Sequence, residues 1–164
     1  MQVLTTPRLN LVIVSGSEVA ALQMGTLPPT LSWGAGYSPA HLNLATQTVL
    51  DVRGVPAGIA LIVLQFEVIG HIAFHAERSR ADVIWISYEV SEPFQDRGYA
   101  SEAVPALVDE LLTIAGTIPA EGLRGRSASM KVLARAGLTQ TDQRGFGEIW
   151  ERRGSGLVET QPPS

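Results

Sequence analysis

A short glycine-containing turn lies between an apolar strand and an apolar helix near the middle of the chain. The strand is predicted over Val83–Val90, the turn is Gln95–Ala100, and the helix continues to about Leu111. The first turn of a helix has unpaired N–H groups and the positive end of the helix dipole, so it binds anions, and pyrophosphate is a common ligand. Gly98 lets a phosphate approach the backbone without a Cβ in the way. The pattern therefore predicts a phosphate site at the N-terminus of this helix.

The side chains around Gly98 are compatible with such a site. Arg97 adds a positive charge, Ala100 keeps the approach open, and Ser101 adds a hydroxyl donor. A glycine before a helix is also ordinary turn chemistry, so the spacing by itself leaves a plain turn as the alternative. A nucleotide-phosphate binder of another class is a weaker alternative, because no Lys-Ser/Thr pair of the Walker type follows the glycine.

Composition restricts the class of protein further. The 164 residues are the size of one domain, and 45% of them are apolar, which is enough for a sizeable core. The net charge of −4 gives no general attraction to nucleic acid or to anionic membranes. The sequence contains no cysteine, which excludes disulfides, thiolate metal sites and cysteine nucleophiles. Its three histidines show no metal-ligand spacing, so no metal is expected.

The boundaries of the domain are predicted from the same features. Val55–Ile69 is the longest apolar stretch, and it is interrupted and shorter than a membrane-spanning helix. No targeting signal is visible, so we expect a cytoplasmic protein. A single domain is predicted over residues 1–153, followed by a disordered tail over 154–164.

The periodicity along the chain predicts an α/β domain with a mixed sheet. Besides Val83–Val90, strands are expected at Leu9–Val14, Ile59–Leu64, Val68–Phe74, within Leu112–Glu121, at Leu138–Thr141 and at Gly147–Arg152. Besides the helix after Gly98, helices are expected from the capping box Ser15–Glu18 to about Met24, from Ser38 to about Val49, and at Ser127–Ala136.

Several motifs in the same order resemble one family. The stretch Ile86–Val104, with Gln95–Ala100 as Q/R-x-x-G-x-G/A, resembles motif A of the GCN5-related N-acetyltransferase (GNAT) superfamily. The likeness is greatest to the branch that acetylates the N-termini of ribosomal proteins. Leu4–Leu9 resembles that branch's opening strand, Ile69–Phe74 its third strand, and Ser127–Leu138 its motif B helix. The resemblance extends from residue 4 to about 141.

This resemblance implies a GNAT fold. Such a fold has a twisted mixed sheet of six or seven strands, about four helices, and two central parallel strands that splay apart to hold acetyl-CoA. Here those strands are Val83–Val90 and the one within Leu112–Glu121. The implied contacts with acetyl-CoA are the backbone at Val90, the motif B serine Ser129, and the turn residues Gln95, Asp96, Arg97, Gly98, Tyr99, Ala100 and Ser101.

The resemblance also implies direct attack of a primary amine on the thioester. Glu89 is the candidate base, the Val90 N–H the candidate oxyanion donor, and Ser129 the candidate contact to the sulfur. Glu89 is alternatively a solvated or structural carboxylate, and Ser129 a locally bonded residue in the first turn of a helix. Tyr88 alternates away from Glu89 and is expected in the core.

Two positions of motif B depart from the family pattern, besides Trp85 and Ser87 on the strand before motif A, which replace a frequent Glu and a frequent Gly. The asparagine that usually opens motif B is replaced by Arg126, or else Gly122–Gly125 is a local insertion. Arg124 and Arg126 are then candidates to reach a CoA phosphate, unless they are only solvated. Leu133 occupies the position of a tyrosine that is the general acid in many relatives. This absence motivates the second hypothesis, a non-catalytic acyl-CoA-binding or structural module.

The acceptor is not defined by the sequence. Residues 20–55, which usually set the acceptor in this family, match poorly. Trp33 and Tyr37 in the Leu27–Tyr37 loop are candidates for the acceptor wall or for buried aromatic packing. His71 and His75 are candidates for the same wall or for satisfied and surface histidines. The expected partners are therefore acyl-CoA and an amine, either a protein N-terminus or a small molecule, and a homodimer is expected because relatives are often dimers.

Overall fold

The computed structural model describes residues 1–123, 127–144 and 147–154. Within these ranges nine strands form one sheet: β1 Gln2–Thr5, β2 Asn10–Val14, β3 Ser32–Trp33, β4 Ala57–Leu64, β5 Glu67–Ala76, β6 Ile84–Val90, β7 Thr117–Leu123, β8 Thr139–Arg144 and β9 Gly147–Arg153. Four α-helices accompany them: α1 Ser17–Gln23, α2 Pro39–Asp51, α3 Tyr99–Leu111 and α4 Ser127–Arg135, with a 3-10 turn at Glu92–Phe94. The tail predicted over 154–164 lies outside the described residues from 155 onwards.

The predicted fold class is confirmed. The strand order is β1-β2-β4-β5-β6-β7-β9-β8, with β3 added to β5. Neighbouring strands are antiparallel except for β3–β5 and β6–β7. The described sheet has nine strands rather than the six or seven expected. The two additional strands are β1 and β3, which the periodicity of the sequence did not predict. β1 is an edge strand with three of its four residues exposed, so it lacks apolar alternation, and β3 has only two residues.

Each face of the sheet is covered by a pair of helices. α3 and α4 pack on one face, where the buried residues include Ile72, Ile84, Val104, Leu107, Ile118 and Leu133. α1 and α2 pack on the other, with Val19, Leu22, Leu42, Val49, Ile59 and Leu61. Burial of such side chains stabilises the fold by roughly 1.5–3 kcal/mol each. Residues of β6 alternate between the two faces as predicted, so neighbouring residues of this strand serve opposite sides of the sheet.

The parallel strands β6 and β7 are paired at only one end. Their ladder consists of Ile86 opposite Ala120, extended by an isolated bridge between Val83 and Thr117. β6 nevertheless continues to Val90, beyond the last pair. The two strands therefore diverge over the C-terminal half of β6, which is the splayed pair that the family resemblance implies.

No helix in the described ranges is long and apolar enough to cross a membrane.

Candidate functional site

The turn before α3 has an unusual backbone conformation. The angle φ is +61° at Asp96 and +80° at Gly98, and it is negative at Arg97 between them. Such alternation of sign makes successive N–H groups converge into an anion-binding concavity. Gly98 adopts the left-handed conformation as the N-cap residue of α3, a role in which glycine has no steric cost. Asp96 is one of the residue types that tolerate this region.

The backbone N–H groups of residues 96–101 are available to a ligand. Among the described residues, none accepts a hydrogen bond from any of them, and the first helical bond of α3 is donated by Glu102 to the Gly98 carbonyl at 3.1 Å. Those in the first turn therefore form the positive end of the α3 dipole. This is the arrangement that holds a phosphate or pyrophosphate.

The side chains of the turn lie around this concavity. Asp96 and Arg97 are exposed, and Tyr99, Ala100 and Ser101 are half-buried. The Arg97 guanidinium lies 5.9 Å from the Phe94 ring centre. Arg97 is thus at the solvent edge of the turn, where its charge can accompany an anion bound to the backbone.

An arginine from the N-terminal segment holds the turn in place, and the sequence analysis did not identify it. The Arg8 Nε donates to the Glu102 carboxylate at 2.6 Å and its Nη1 donates to the Arg97 carbonyl at 2.9 Å. Its Cζ lies 4.6 Å from the centre of the Tyr99 ring. Thr6 also donates to Glu102, at 2.6 Å. The only sequence signal was that Leu4–Leu9 resembles the family's opening strand, which gave Arg8 no partner.

The Arg8–Glu102 contact is electrostatically favourable. Partial burial acts to raise the pKa of Glu102, but the hydrogen bonds from Thr6 and Arg8 and the charge of Arg8 outweigh it and lower that pKa. Glu102 is therefore ionised near neutral pH and keeps Arg8 against the turn. The carbonyl of Arg97 is occupied by Arg8, so the turn presents its N–H groups outwards.

The end of β6 presents a backbone edge to the splay. The Ser91 N–H donates to the Ile69 carbonyl of β5 at 2.7 Å. Because backbone polar groups alternate along an antiparallel strand, those of Val90 point to the opposite side, towards β7. The Gln95 side-chain amide donates to the Val90 carbonyl at 2.8 Å. Gln95 thus links the turn to β6 through its side chain, and the Val90 N–H faces the splay at a level where β7 is unpaired.

A glycine lets the neighbouring strand approach closely at this point. Gly70 is opposite Val90 in the register of β5 and β6. A Cβ at Gly70 would collide with the Glu89 carbonyl oxygen and would lie 3.0 Å from the Cα of Val90. The glycine in the predicted third strand therefore determines how Glu89 and Val90 are placed at the splay.

The motif B residues lie on the α3/α4 face. Ser129 is half-buried in the first turn of α4, and the Tyr88 hydroxyl lies 3.4 Å from the Ser129 carbonyl. Burial raises the pKa of Tyr88, and a hydrogen bond with Ser129 opposes part of this effect. Leu133 is 1% exposed and belongs to the core. Arg124 and Arg126 lie outside the described residues.

The opposite face carries a second group of polar side chains. Glu89 is exposed, and it lies directly opposite His71 in the register of β5 and β6. His71 forms a hydrogen bond through Nδ1 with the Tyr37 hydroxyl. His41, at the start of α2, stacks on Tyr37 with ring centres 5.1 Å apart. The structure therefore brings together Glu89, His71 and Tyr37, which the sequence analysis proposed separately, and adds His41.

Of the other two acceptor candidates, Trp33 lies with this group and His75 lies away from it. Trp33 is half-buried with its ring centre 6.0 Å from that of Tyr37, so it belongs to this group. The loop is attached to the end of β6, because the Ser91 hydroxyl donates to the Ala35 carbonyl at 2.7 Å. His75 is half-buried opposite Trp85 at the other end of β5.

A separate open groove lies at the far end of β6. It has a volume of about 480 Å³ and is lined by residues that include Arg80, Trp85, Pro119, Ile149 and Arg153. It contains none of the residues predicted from the sequence to bind acetyl-CoA or to act in catalysis. The described residues also contain no cluster of three or more histidine and carboxylate side chains that could hold a metal ion.

No protein-family profile matches the sequence, and no curated sequence matches it. Solved structures do. A ribosomal L7/L12 alpha-N-protein acetyltransferase in complex with coenzyme A is 22% identical, matches over 93% of this chain and 98% of its own, and has a TM-score of 0.66. The ribosomal-protein-S5-alanine acetyltransferase from Vibrio fischeri is 13% identical over 95% of this chain and 98% of its own, with a TM-score of 0.68.

A third structure is the microcin C7 self immunity acetyltransferase in complex with acetyl-CoA and AMP. It is 14% identical over 90% of this chain and 93% of its own, with a TM-score of 0.61. The chain therefore has the fold of the GNAT acetyltransferases. Within that fold, the structures it resembles include ribosomal-protein N-terminal acetyltransferases, as motifs A and B indicated.

Proposed function

We propose that this protein is an N-acyltransferase that moves an acetyl group from acetyl-CoA to a primary amine. The observation that carries the proposal is the row of N–H groups at residues 96–101 that have no partner within the described ranges, at the N-terminus of α3 and next to the splay of β6 and β7. GNAT acetyltransferases with the same fold are known in complex with coenzyme A and acetyl-CoA.

The turn supplies the proposed pyrophosphate site. In this proposal the backbone N–H groups of Asp96, Arg97, Gly98, Tyr99, Ala100 and Ser101 bind the phosphate oxygens, with the Arg97 charge beside them. Gln95 supports this site by donating its side-chain amide to the Val90 carbonyl, which connects the turn to β6. The pantetheine arm then lies along the edge of β6 that β7 leaves unpaired, at the Val90 N–H, as an added strand would.

Three groups are proposed to act on the reacting atoms. The neutral amine nitrogen attacks the thioester carbonyl, and a C–N bond forms. The C–S bond breaks with its electron pair on sulfur, coenzyme A leaves as the thiolate and takes a proton from solvent, and the nitrogen loses a proton. Glu89 accepts that proton directly or through water, and its exposed carboxylate is accessible to do so. The Val90 N–H stabilises the oxyanion. Ser129 contacts the sulfur from the opposite face, which leaves Glu89 and Ser129 on the two sides of the splay.

A non-catalytic acyl-CoA-binding module is the second candidate. Leu133 favours it, because this core residue stands where many relatives have the tyrosine that protonates the thiolate. The two candidates share the acyl-CoA site and differ only in the chemistry.

Two measurements on the wild-type protein test the proposal. Calorimetry with acetyl-CoA tests the site, and absence of binding at millimolar ligand would overturn both candidates. Release of free thiol from acetyl-CoA across a panel of primary amines then separates them. Binding without amine-dependent thiol release would leave the non-catalytic module.

A further inference from the structure

Tyr37 and His71 form a buried polar pair to which the proposed reaction gives no role. Each is 4% exposed. Tyr37 comes from the loop before α2 and His71 from β5, and the Tyr37 hydroxyl is hydrogen-bonded to Nδ1 of His71. The Tyr37 ring stacks on that of His41 with centres 5.1 Å apart, and the Trp33 ring centre lies 6.0 Å away. His41 is itself held at the start of α2, where its Nδ1 accepts a hydrogen bond from the Ser38 N–H at 3.1 Å.

The direction of the Tyr37–His71 hydrogen bond follows from counting donors and acceptors. Burial, and then the charge of Glu89, raise the pKa of Tyr37 above its usual range. Burial, and then the charge of His41, lower the pKa of His71 to about 4. Both groups are therefore neutral near pH 7. Among the described residues, Nδ1 is the only acceptor for the buried phenol O–H. Tyr37 thus donates, and the imidazole proton is on Nε2.

The His71 side chain is on the same face of the sheet as Glu89. Nε2 has no hydrogen-bond partner among the described residues. Every side-chain nitrogen or oxygen atom of these residues that is closed to solvent has a partner, so Nε2 must be open to solvent. His71 lies directly opposite Glu89, and Cβ atoms of such pairs are about 4.5–5.5 Å apart. The side chain that carries the free donor is therefore adjacent to the candidate base.

We propose that the Nε2–H of His71 binds a neutral oxygen of the acceptor, on the carbon next to the reacting amine. The proposal rests on the proposed function and specifies its substrate class: primary amines with an adjacent carbonyl or hydroxyl oxygen, such as α-amino amides and amino alcohols. A second ammonium group, as in a polyamine, has no lone pair for this donor. The carboxylate of a free amino acid is repelled by Glu89. Tyr37 is a positioning residue, because it acts through His71.

A double variant separates this role from a structural one. Tyr37→Phe combined with His71→Leu replaces both partners by apolar groups of similar shape, which leaves stability nearly unchanged when a buried pair is removed together. The matched control is His75→Leu on the same strand and face. The assay is thiol release with alaninamide, which has the adjacent oxygen, and with isopropylamine, which lacks it.

The KM for alaninamide is expected to rise about tenfold in the double variant, the effect of one lost hydrogen bond. The KM values for isopropylamine and acetyl-CoA stay unchanged, and His75→Leu matches the wild type. An unchanged KM for alaninamide, or an equal rise for both amines, overturns the proposal.

A measurement that does not depend on activity distinguishes failure of the His71 proposal from failure of the proposed function. ¹⁵N NMR of the His71 imidazole, with the protein saturated in coenzyme A, is expected to show the proton on Nε2 and a shift of that resonance with alaninamide but not with isopropylamine. Such a shift without acetyl transfer would contradict only the catalytic part of the proposed function. Acetyl transfer with no shift, or with the proton on Nδ1, overturns only the present proposal. If there is no acetyl transfer and no shift of the resonance, both proposals are overturned.

Discussion

The two sides of the cleft are built from different chemical groups. The proposed pyrophosphate site consists of backbone N–H groups from one short stretch, residues 96–101. The proposed acceptor side consists of four side chains from three separate segments of the chain: Tyr37 and His41, His71, and Glu89. One side depends on how the backbone turns, and the other depends on which side chains meet.

This difference determines what each side tolerates. Backbone donors survive most side-chain changes, provided that the turn keeps its conformation and that no Cβ blocks the ligand. Side-chain donors are lost with the residue that carries them. Substitutions in the turn should therefore act through shape and support, and substitutions on the acceptor side should act through chemical identity.

The largest effect is expected from Gly98→Arg. Its Cβ would lie 3.3 Å from the Arg8 Nη2, and a position with φ of +80° is strained for any residue with a side chain. The turn should therefore be displaced, and the affinity for acetyl-CoA should fall by at least about a hundredfold, the loss of several backbone hydrogen bonds to phosphate. Calorimetry measures the affinity. Gly54→Arg is the control, because Gly54 has φ of +79° with open space around it. Retained affinity in Gly98→Arg would mean that the phosphates do not sit at this turn.

Glu89→Gln should be the most damaging acceptor-side change for the chemical step. It removes the base and keeps the shape, so kcat should fall about a hundredfold while the affinity for acetyl-CoA is unchanged. Steady-state thiol release measures kcat. Glu151→Gln, on β9, is the control. An unchanged kcat in Glu89→Gln would mean that water accepts the proton and that Glu89 is only a solvated surface carboxylate.

Arg8→Ala tests the support of the turn. It removes the bonds to Glu102 and to the Arg97 carbonyl, so the turn should loosen and the affinity for acetyl-CoA should fall about fivefold to tenfold. Calorimetry with the Asp109→Asn variant provides the comparison, because that change removes a different ion pair of α3, between Arg152 and Asp109. Equal affinities in the two variants would show that Arg8 stabilises the fold without organising the turn.

The smallest effect is expected from Asp96→Asn. Asparagine also adopts the left-handed region, so the backbone should be kept while one exposed negative charge near the phosphates is removed. The affinity for acetyl-CoA should rise about twofold at low salt, and the gain should shrink at high salt. Calorimetry at two ionic strengths measures both. A loss of affinity would show that the Asp96 carboxylate supports the turn.

Local pattern predicted the strand, the turn and the helix in this part of the chain. The alternation of Val83–Val90 and the glycine before an apolar helix are features of adjacent residues, and the structure has β6 at Ile84–Val90 and α3 from Tyr99. The same reasoning did not find Arg8, whose partners Arg97 and Glu102 are far away in sequence. It did not resolve β3 either, because two residues that pair with β5 have no periodicity.

The acceptor side could be named from the sequence only as separate candidates. His71 and His75 are both on β5 and point to the same face. Only the tertiary structure separates them, since the loop before α2 brings the Tyr37 hydroxyl to His71 and not to His75.

The sequence by itself determined the class of fold, the place of the turn before α3, and the order of the motifs, because these follow from local backbone preference and from the spacing of apolar residues. The tertiary structure decided that β6 and β7 part after Ile86 and Ala120, that Arg8 holds the turn, and that Tyr37, His71 and Glu89 meet. Those contacts join residues far apart in the chain, and their energy comes from packing and hydrogen bonding that exist only once the sheet has formed.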